Sequence, residues 1–354
     1  MLKARACVRE MREYHSPLSG PATDLRLDMN ENTTGCSPRV LEKLHSIDAK
    51  TLALYPRREP GEKLVAGFLG VAPEQLLLTN GADEGIDLLC RAYLDPGSEI
   101  VVVTPAFAMY EVFAQTEDAK VVRVSSGPEF SFPEQRVVDA VTAKTRIVVI
   151  CNPNNPTGLA VERSSIMKII AAAPDAAILL DEAYFDFYGQ TMMDQIGKLP
   201  NLFIARTFSK AYGLAGLRLG VMAGDKQQIS VLRRMASPFN VNAFAIECLG
   251  EALADREFVQ AYVSEVRAGR EWLRKELEAL SFKCWPSQAN FILCRFGDAK
   301  KALLEGLRAR GIALRDRPDC EGCVRITIGK PQEMQRLIAE LKQLLANLPV
   351  QVAR

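Results

Sequence analysis

The feature that most constrains this sequence is a series of short apolar segments, rich in Val, Ile and Leu, that alternate with segments of helix length. Seven of them lie at 76–78, 100–103, 121–124, 147–150, 177–180, 202–205 and 219–222. A strand that is apolar at every position is buried on both faces, which is typical of a mostly parallel sheet covered by helices. The pattern therefore predicts an α/β fold built on a seven-stranded sheet.

The last third of the chain has a different pattern. Helical patterns at 243–253 and 257–280 precede a strand-like segment at 291–296, a helix at 299–310, a strand at 324–328 and a helix at 332–345. With fewer strands and more helix, this order is typical of a smaller α+β domain. Before residue 46, proline and glycine are frequent and periodicity is weak. We predict an N-terminal arm at 1–45, a large domain at 46–258 and a small domain at 259–354.

Charge and hydropathy exclude several classes of partner. The 44 basic and 43 acidic side chains nearly cancel, so the basic surface of a nucleic-acid-binding protein is not expected. No window approaches the ~18 apolar residues of a spanning helix, and the first fifteen residues lack the apolar core of a secretory signal. We expect a cytoplasmic protein with no nucleic-acid or membrane partner.

Cysteine usage supports the same location. Nine cysteines, an odd number in a long chain, are more typical of reduced thiols than of a disulfide framework. Cys320 and Cys323 have the C-x-x-C spacing, but a zinc site needs two further ligands. The histidines, His15 and His45, are far away in the sequence. We expect no metal site.

Polar residues follow four of the apolar segments, at 79–84, 152–158, 181–184 and 206–210. Ligands of open α/β sheets bind at the carboxyl ends of the strands. Alone, Asp181 is typical of a helix cap or turn, Lys210 of a surface lysine and Asn155 of a turn former. Together, an anion site, an amide, an acid and an amine match the requirements of one cofactor, pyridoxal 5′-phosphate (PLP).

The chemistry of PLP explains these residue types. Lys210 can form a Schiff base with the aldehyde and move the substrate α-proton, provided that burial or a nearby cation lowers its pKa. Asp181 can keep the pyridine nitrogen protonated, which makes the ring an electron sink. Tyr184 and Asn155 suit the ring oxygen. The phosphate requires a helix N-terminus, a hydroxyl and a fixed cation, as 81–83, Ser209 and Arg218 could provide.

The sequence resembles the fold-type I PLP-dependent aminotransferases, and within them the histidinol-phosphate aminotransferase branch, over nearly its whole length. The segments that carry the resemblance are 30–32, 54–56, 80–84, 105–110, 152–158, 181–184, 207–211, 214–220, 288–291 and 324–327. Arg218 follows Lys210 by eight residues, as in the family pattern.

The resemblance implies a role for each matching residue. Lys210 is similar to the Schiff-base lysine, Asp181 to the partner of the ring nitrogen, and Asn155 and Tyr184 to the partners of the ring oxygen; Lys210, Asp181 and Tyr184 are the expected catalytic residues. Phe107 matches the aromatic residue, commonly tyrosine, that stacks on the cofactor. The expected phosphate-binding residues are Ala82, Asp83, Thr207, Ser209 and Arg218.

The resemblance also implies a homodimer with shared active sites. Tyr55 matches a residue that reaches the cofactor phosphate of the neighbouring subunit, and the arm is expected to contribute to the small domain and to dimer contacts. Thr33 and Cys36 stand where prolines are common in the family, which should loosen the arm.

On the substrate side, the matching residues are Tyr14, Asn32, Arg315 and Arg325. In related enzymes the arginine at the position of Arg325 binds an α-carboxylate, and in the histidinol-phosphate branch it faces the substrate phosphate. A guanidinium fits either anion bidentately, so this residue alone leaves the substrate open.

The resemblance implies transfer of an amino group between histidinol phosphate and 2-oxoglutarate, in histidine biosynthesis, by a ping-pong route through pyridoxamine phosphate. The partners are then a small amino donor and a 2-oxo acid. Alternatives on the same scaffold are an aminotransferase for aromatic or other amino acids, and a decarboxylase similar to the threonine-phosphate decarboxylases.

Two further classes fit the sequence less well. A PLP-binding transcriptional regulator would need a DNA-binding winged-helix segment, for which we expect no room in this chain, and a basic patch. A catalytically inactive relative is disfavoured because Lys210, Asp181 and Arg218 are all intact.

Overall fold

The computed structural model describes residues 2–11 and 25–347. Within these ranges the strands are β1 Leu25–Leu27, β2 Leu76–Asn80, β3 Glu99–Thr104, β4 Lys120–Ser125, β5 Thr145–Cys151, β6 Ala177–Asp181, β7 Leu202–Thr207, β8 Leu219–Gly224, β9 Lys283–Cys284, β10 Phe291–Arg295, β11 Ile312–Arg317 and β12 Cys323–Thr327.

The helices of the described ranges are α1 Ala6–Glu10, α2 Pro38–His45, α3 Ala49–Ala53, α4 Arg58–Leu69, α5 Gly81–Tyr93, α6 Met109–Thr116, α7 Glu134–Asp139, α8 Arg163–Ala172, α9 Phe185–Tyr188, α10 Lys226–Met235, α11 Ala243–Ala254, α12 Arg256–Ala279, α13 Lys300–Ala309 and α14 Pro331–Ala346. None of these helices is both long and apolar enough to cross a membrane.

The larger sheet confirms the predicted α/β class. Its seven strands run in the order β2-β8-β7-β6-β5-β3-β4, and each contains one of the seven apolar segments. The pairs joining β7, β6, β5, β3 and β4 are parallel, whereas β8 is antiparallel to both β2 and β7. The central strand β6 is buried at every position, because helices and their apolar side chains cover both faces of the sheet.

The second sheet has five strands in the order β1-β11-β12-β10-β9. The chain enters it from the N-terminal segment, since β1 pairs in parallel with β11 at the register Leu25↔Ile312. The apolar pattern does not predict β11, because only its first two residues, Ile312 and Ala313, are apolar and buried. Arg315 and Arg317, toward the end of the strand, reach the cavity described below.

The four helices and two strands predicted after residue 240 are present, with ends within one residue of those predicted, whereas β9 and β11 were not predicted. The long amphipathic segment forms one helix, α12, which runs without a break past the predicted domain boundary at 258/259. Its buried positions, including Val266, Leu273 and Leu277, pack into a core shared with the five-stranded sheet. Asp255 caps the helix by accepting a hydrogen bond from the N–H of Phe258.

Candidate active site

A cavity of about 550 Å³ opens at the carboxyl ends of the parallel strands, between the two sheets. Twelve of the residues named from the sequence line it: Ala82, Asp83, Phe107, Asn155, Asp181, Tyr184, Thr207, Ser209, Lys210, Arg218, Arg315 and Arg325. They come from eight separate segments of the chain. The topology brings them together because parallel strands place their carboxyl ends at one edge of the sheet.

Lys210 lies in the turn that follows β7. The turn is held by two backbone hydrogen bonds, from Phe208 N to Leu219 O and from Leu214 N to Phe208 O, both 3.0 Å long. The Lys210 ammonium donates to the carbonyl oxygen of Met29 at 3.2 Å. Burial, together with the charges of Arg325 and Arg218, lowers the pKa of this lysine to about 8. About a tenth of the amine is therefore neutral at pH 7, far more than for a lysine with an ordinary pKa.

Asp181 is the last residue of β6 and is buried. One carboxylate oxygen accepts from the Tyr110 hydroxyl at 2.5 Å and the other from the N–H of Ala183 at 2.9 Å. Burial raises the pKa of Asp181, whereas these two donors oppose the rise. A cationic partner in the cavity would favour the ionised carboxylate further.

Tyr184 and Asn155 lie on the side of the cavity that faces the five-stranded sheet. The Tyr184 hydroxyl accepts a hydrogen bond from the side-chain amide of Asn30 at 2.8 Å. Burial raises the pKa of Tyr184 to about 12, against the opposing influence of Arg325 and Asn30. The phenol therefore keeps its proton and can donate it in a hydrogen bond to an oxygen in the cavity.

Close backbone packing shapes the part of the cavity at the start of α5. A Cβ on Gly220 would lie 2.4 Å from the carbonyl carbon of Gly81, and Gly81 itself has a φ of +77°. Ala82 and Asp83, in the first turn of α5, line the cavity, and the side chain of Asn80 at the N-cap makes no capping hydrogen bond. Arg218 pairs with Asp83 at 3.0 Å, so a cation already stands beside this helix N-terminus. The arrangement suits a phosphate group.

The hydroxyls of Thr207 and Ser209 are 3.0 Å apart, and Thr207 also accepts from the N–H of Ser209. A buried ion pair orients the strand ends behind them: Arg206 on β7 donates through Nε and Nη2 to Glu182, which directly follows β6. Glu182 is fully buried, and the hydroxyl of Thr191 donates to it as well. The pair joins the ends of β6 and β7, which carry Asp181 and Thr207.

Arg315 and Arg325 approach the cavity from the five-stranded sheet. They are direct partners across the antiparallel pair β11–β12, so both side chains project from the same face of the sheet. Arg325 donates from Nη1 to Asn155 Oδ1 and from Nη2 to Asp28 O, both at 2.6 Å.

Two of the described residues that were named from the sequence do not line this cavity. Asn32 lies outside it, where its amide donates to Ala211 O at 3.2 Å and its carbonyl oxygen accepts from the N–H groups of Thr34 and Gly35. Tyr55 is 76% exposed and stacks on Phe239. Tyr14 lies outside the described residues.

Several cavity residues were not assigned a role from the sequence: Arg26, Met29, Asn30, Glu31, Cys151 and Arg317. Cys151 ends β5, so the rule that selected Asp181 could have found it. Arg317 could not be found this way because its strand was not predicted. It is held by Asp319 and by the carbonyl oxygen of Ala106 at 3.2 Å.

The fold and this set of side chains define a class of protein, the PLP-dependent enzymes of fold type I. The residues present fit the cofactor: a partly buried lysine with a lowered pKa, a buried carboxylate, two polar groups for a ring oxygen, and a helix N-terminus without a side-chain cap.

The chain belongs to the family "Aminotransferase class I and II", whose model matches residues 22–341. Relatives described as histidinol-phosphate aminotransferases include one from Dehalococcoides mccartyi, 35% identical over 90% of both chains. Another, from Roseiflexus castenholzii, is 36% identical over 90% of this chain and 89% of the relative. The histidinol-phosphate aminotransferase of Sinorhizobium meliloti, solved in complex with pyridoxal 5′-phosphate, shares the fold with a TM-score of 0.89 and 22% identity over 99% of each chain.

Proposed function

We propose that this chain is a histidinol-phosphate:2-oxoglutarate aminotransferase that uses PLP and acts in histidine biosynthesis. Relatives that carry this enzyme name match nearly the whole chain at 35–36% identity. The observation in the structure that carries the proposal is the pairing of Arg315 with Arg325 across β11 and β12.

Two arginines at directly opposed positions repel each other, which is unfavourable in a sheet. A dianionic phosphate beside both guanidinium groups offsets part of that repulsion and can accept a charge-assisted hydrogen bond from each. The pair therefore suits the phosphate of a phosphorylated amino donor.

Each proposed site residue then has a defined task. Bound PLP supplies an electron sink that stabilises negative charge on the substrate carbon. Lys210 holds the cofactor and moves a proton at Nζ, for which its pKa of about 8 is suited. Asp181 holds the proton of the ring nitrogen, and Tyr184 and Asn155 bind the ring oxygen.

The remaining contacts position the cofactor and its ligands. The start of α5 with Ala82 and Asp83, the hydroxyls of Thr207 and Ser209, and Arg218 bind the phosphate of PLP, and Phe107 stacks on the ring. Arg315 and Arg325 bind the phosphate of the amino donor. Asn32 and Tyr14 stay predicted substrate contacts, on the arm.

A single-turnover assay tests the substrate. The PLP-loaded protein is mixed with L-histidinol phosphate, L-histidinol, phosphothreonine or tyrosine, and the visible absorbance is followed. Histidinol phosphate should bleach the band at the lowest concentration and yield the corresponding ketone phosphate, and histidinol, which lacks the phosphate, should require far more. No bleaching by histidinol phosphate would contradict the proposal. Carbon dioxide release from phosphothreonine would identify a decarboxylase instead.

We further propose a homodimer with shared active sites. Tyr55 and Phe239 form an exposed aromatic stack with ring centroids 4.3 Å apart, and Leu52 and Leu54 beside it are more than half exposed. An apolar surface of this kind favours burial against a second copy, which would bring Tyr55 to the neighbouring cavity.

A cytoplasmic location is also proposed, supported by nine cysteines that are all free thiols. The division into an arm at 1–45, a large domain at 46–258 and a small domain at 259–354 stays a prediction. The two separate sheets support it.

A further inference from the structure

The hydroxyl of Tyr110 donates a hydrogen bond of 2.5 Å to Asp181 Oδ2. The tyrosine lies in the first turn of α6 and is fully buried. Burial and the neighbouring Asp181 raise its pKa well above the ordinary value, so the phenol keeps its proton and donates to the carboxylate.

Asp181 needs such a donor because its surroundings oppose ionisation. It is removed from water, and the titratable groups around it are mostly acidic: Asp83 from α5, Tyr110 from α6, Cys151 from β5, and Glu182 and Tyr184 beyond β6. A carboxylate can hold a proton on a ring nitrogen only if it is itself ionised. Hydrogen bonds to the ionised form favour it.

The same residue also contacts the aromatic face of the cavity. The rings of Phe107 and Tyr110 meet edge to face, with centroids 5.6 Å apart and an interplanar angle of 86°. Phe107 lines the cavity, whereas Tyr110 does not. One side chain behind the wall thus touches both the residue expected to stack on the cofactor and the residue expected to bind its nitrogen.

We infer that Tyr110 is a positioning residue that acts through Asp181, with a hydroxyl that keeps the carboxylate aimed at the ring nitrogen of PLP and able to accept its proton. The inference rests on the proposed function. Removing only the hydroxyl should weaken the hold of Asp181 on the cofactor nitrogen while leaving the apolar packing of the ring in place.

The variant Tyr110→Phe tests this, with Tyr93→Phe as the matched control. The control substitution also removes a hydroxyl that donates a hydrogen bond. The Tyr93 hydroxyl donates to Gln228 at 2.7 Å, away from the cavity. Two readouts besides activity are the half-life of PLP release and the pH midpoint of the visible absorbance band. The thermal midpoint of the PLP-free protein monitors folding.

In Tyr110→Phe we expect PLP release to be about 10- to 100-fold faster, since the lost bond joins a hydroxyl to a charged group. The pH midpoint of the visible band should rise, because a less fully protonated ring nitrogen places less positive charge near the lysine-bound nitrogen. We expect Tyr93→Phe to stay within about twofold of wild type in release. Tyr110→His, whose ring N–H can donate, should recover part of both effects.

A double-mutant cycle with Asp181→Asn separates this role from simple packing. If Tyr110 acts through Asp181, adding Tyr110→Phe to Asp181→Asn should change neither the midpoint nor the release rate further. Equal effects in both backgrounds, or a Tyr110→Phe protein that matches Tyr93→Phe, would overturn the inference. So would a Tyr110→Phe protein that lowers only the thermal midpoint. If Tyr110→Phe does not fold, Tyr110→His is measured in its place, and a release rate and pH midpoint identical to those of wild type would overturn the inference. A wild-type protein that takes up no PLP would instead refute the proposed function.

Discussion

Arg325 and Asn155 are joined by a hydrogen bond of 2.6 Å from the guanidinium Nη1 to the amide Oδ1. Arg325 belongs to β12 of the five-stranded sheet, whereas Asn155 follows β5 of the seven-stranded sheet. The contact therefore connects the residue proposed to bind substrate with one proposed to bind the cofactor. With Asp28 O holding the other end of the guanidinium, the fork is oriented before any substrate arrives.

Replacing Arg325 with lysine should separate charge from orientation. A lysine keeps the positive charge but cannot donate in the planar, two-ended geometry that now joins Asn155 Oδ1 and Asp28 O. We expect the KM for histidinol phosphate to rise about 10- to 100-fold, with a smaller loss in kcat and little change in the visible spectrum. Steady-state kinetics and absorbance spectra measure both.

Arg295→Lys provides a control for the Arg325→Lys substitution. Arg295 lies on the neighbouring strand β10, with a side chain that is about half exposed and 3.8 Å from Glu321. This substitution should leave the KM unchanged. A KM in Arg325→Lys equal to that of the control would show that the orientation of the fork is not used in substrate binding.

Substitutions of Asn30 can separate the contribution of its side-chain hydrogen bonds to stability from that of its backbone conformation. Its amide donates to the Tyr184 hydroxyl, its Oδ1 accepts from Thr327 at 3.3 Å, and its φ is +54°. Asn30→Gly loses the hydrogen bonds but tolerates this backbone conformation, whereas Asn30→Ala also places a Cβ in a left-handed residue.

We expect Asn30→Gly to lower the free energy of unfolding by about 1–3 kcal/mol, because the Tyr184 hydroxyl and Thr327 are left in a buried site with fewer partners. Asn30→Ala should be less stable than Asn30→Gly by a further ~1 kcal/mol. Urea unfolding of the PLP-free proteins measures both. If alanine proves at least as stable as glycine here, the left-handed backbone does not contribute to the choice of asparagine.

Sequence alone predicted most of what depends on local pattern. All seven strands of the larger sheet are predicted because each contains a continuous apolar segment, which is mostly buried in every strand except the edge strand β4. The cofactor side of the cavity was found for a related reason: Asp181 and Lys210 follow apolar segments directly, and parallel pairing places those ends together.

The features that could not be predicted from the sequence depend on contacts between residues far apart in the chain. β11 has only two buried apolar residues before its charged half, so no periodicity indicates this strand or the position of Arg317 within it. Asn30 reaches Tyr184 across 154 residues of chain. Tyr110 lies behind the cavity wall and contacts Asp181, which only the packing of α6 against the sheet reveals.

The aromatic stack of Tyr55 and Phe239 provides a test of the proposed dimer. Phe239→Glu places a charge on a surface that we expect to be buried between subunits, where an unpaired carboxylate is strongly unfavourable. The variant should sediment as a monomer at concentrations where the wild type is a dimer, and it should bind PLP more weakly if Tyr55 completes the neighbouring cavity. Met167→Glu, on an exposed part of α8, should stay dimeric. A dimeric Phe239→Glu would place the interface elsewhere.

Lys210 should lower the free energy of unfolding of the PLP-free protein at neutral pH, and this effect should become smaller as the pH rises. Its pKa is about 8 in the folded chain, below the ordinary value of 10.5. Below pH 8 the amine is charged in both the folded and unfolded states, and the burial of the charge destabilises the fold. Between pH 8 and 10.5 the unfolded chain binds more protons, so this destabilisation fades as the pH rises.

Lys210→Met removes the buried charge and keeps a long apolar side chain. At pH 7 the PLP-free variant should be more stable than wild type by on the order of 2–3 kcal/mol, and the difference should shrink to about a quarter of that by pH 10. Urea unfolding at both pH values measures it, with Lys168→Met as the control, because Lys168 is exposed and its pair with Glu134 lies on the surface. A difference that does not depend on pH would mean that the amine is not held at the lowered pKa, and that the cavity does not prepare it for proton transfer.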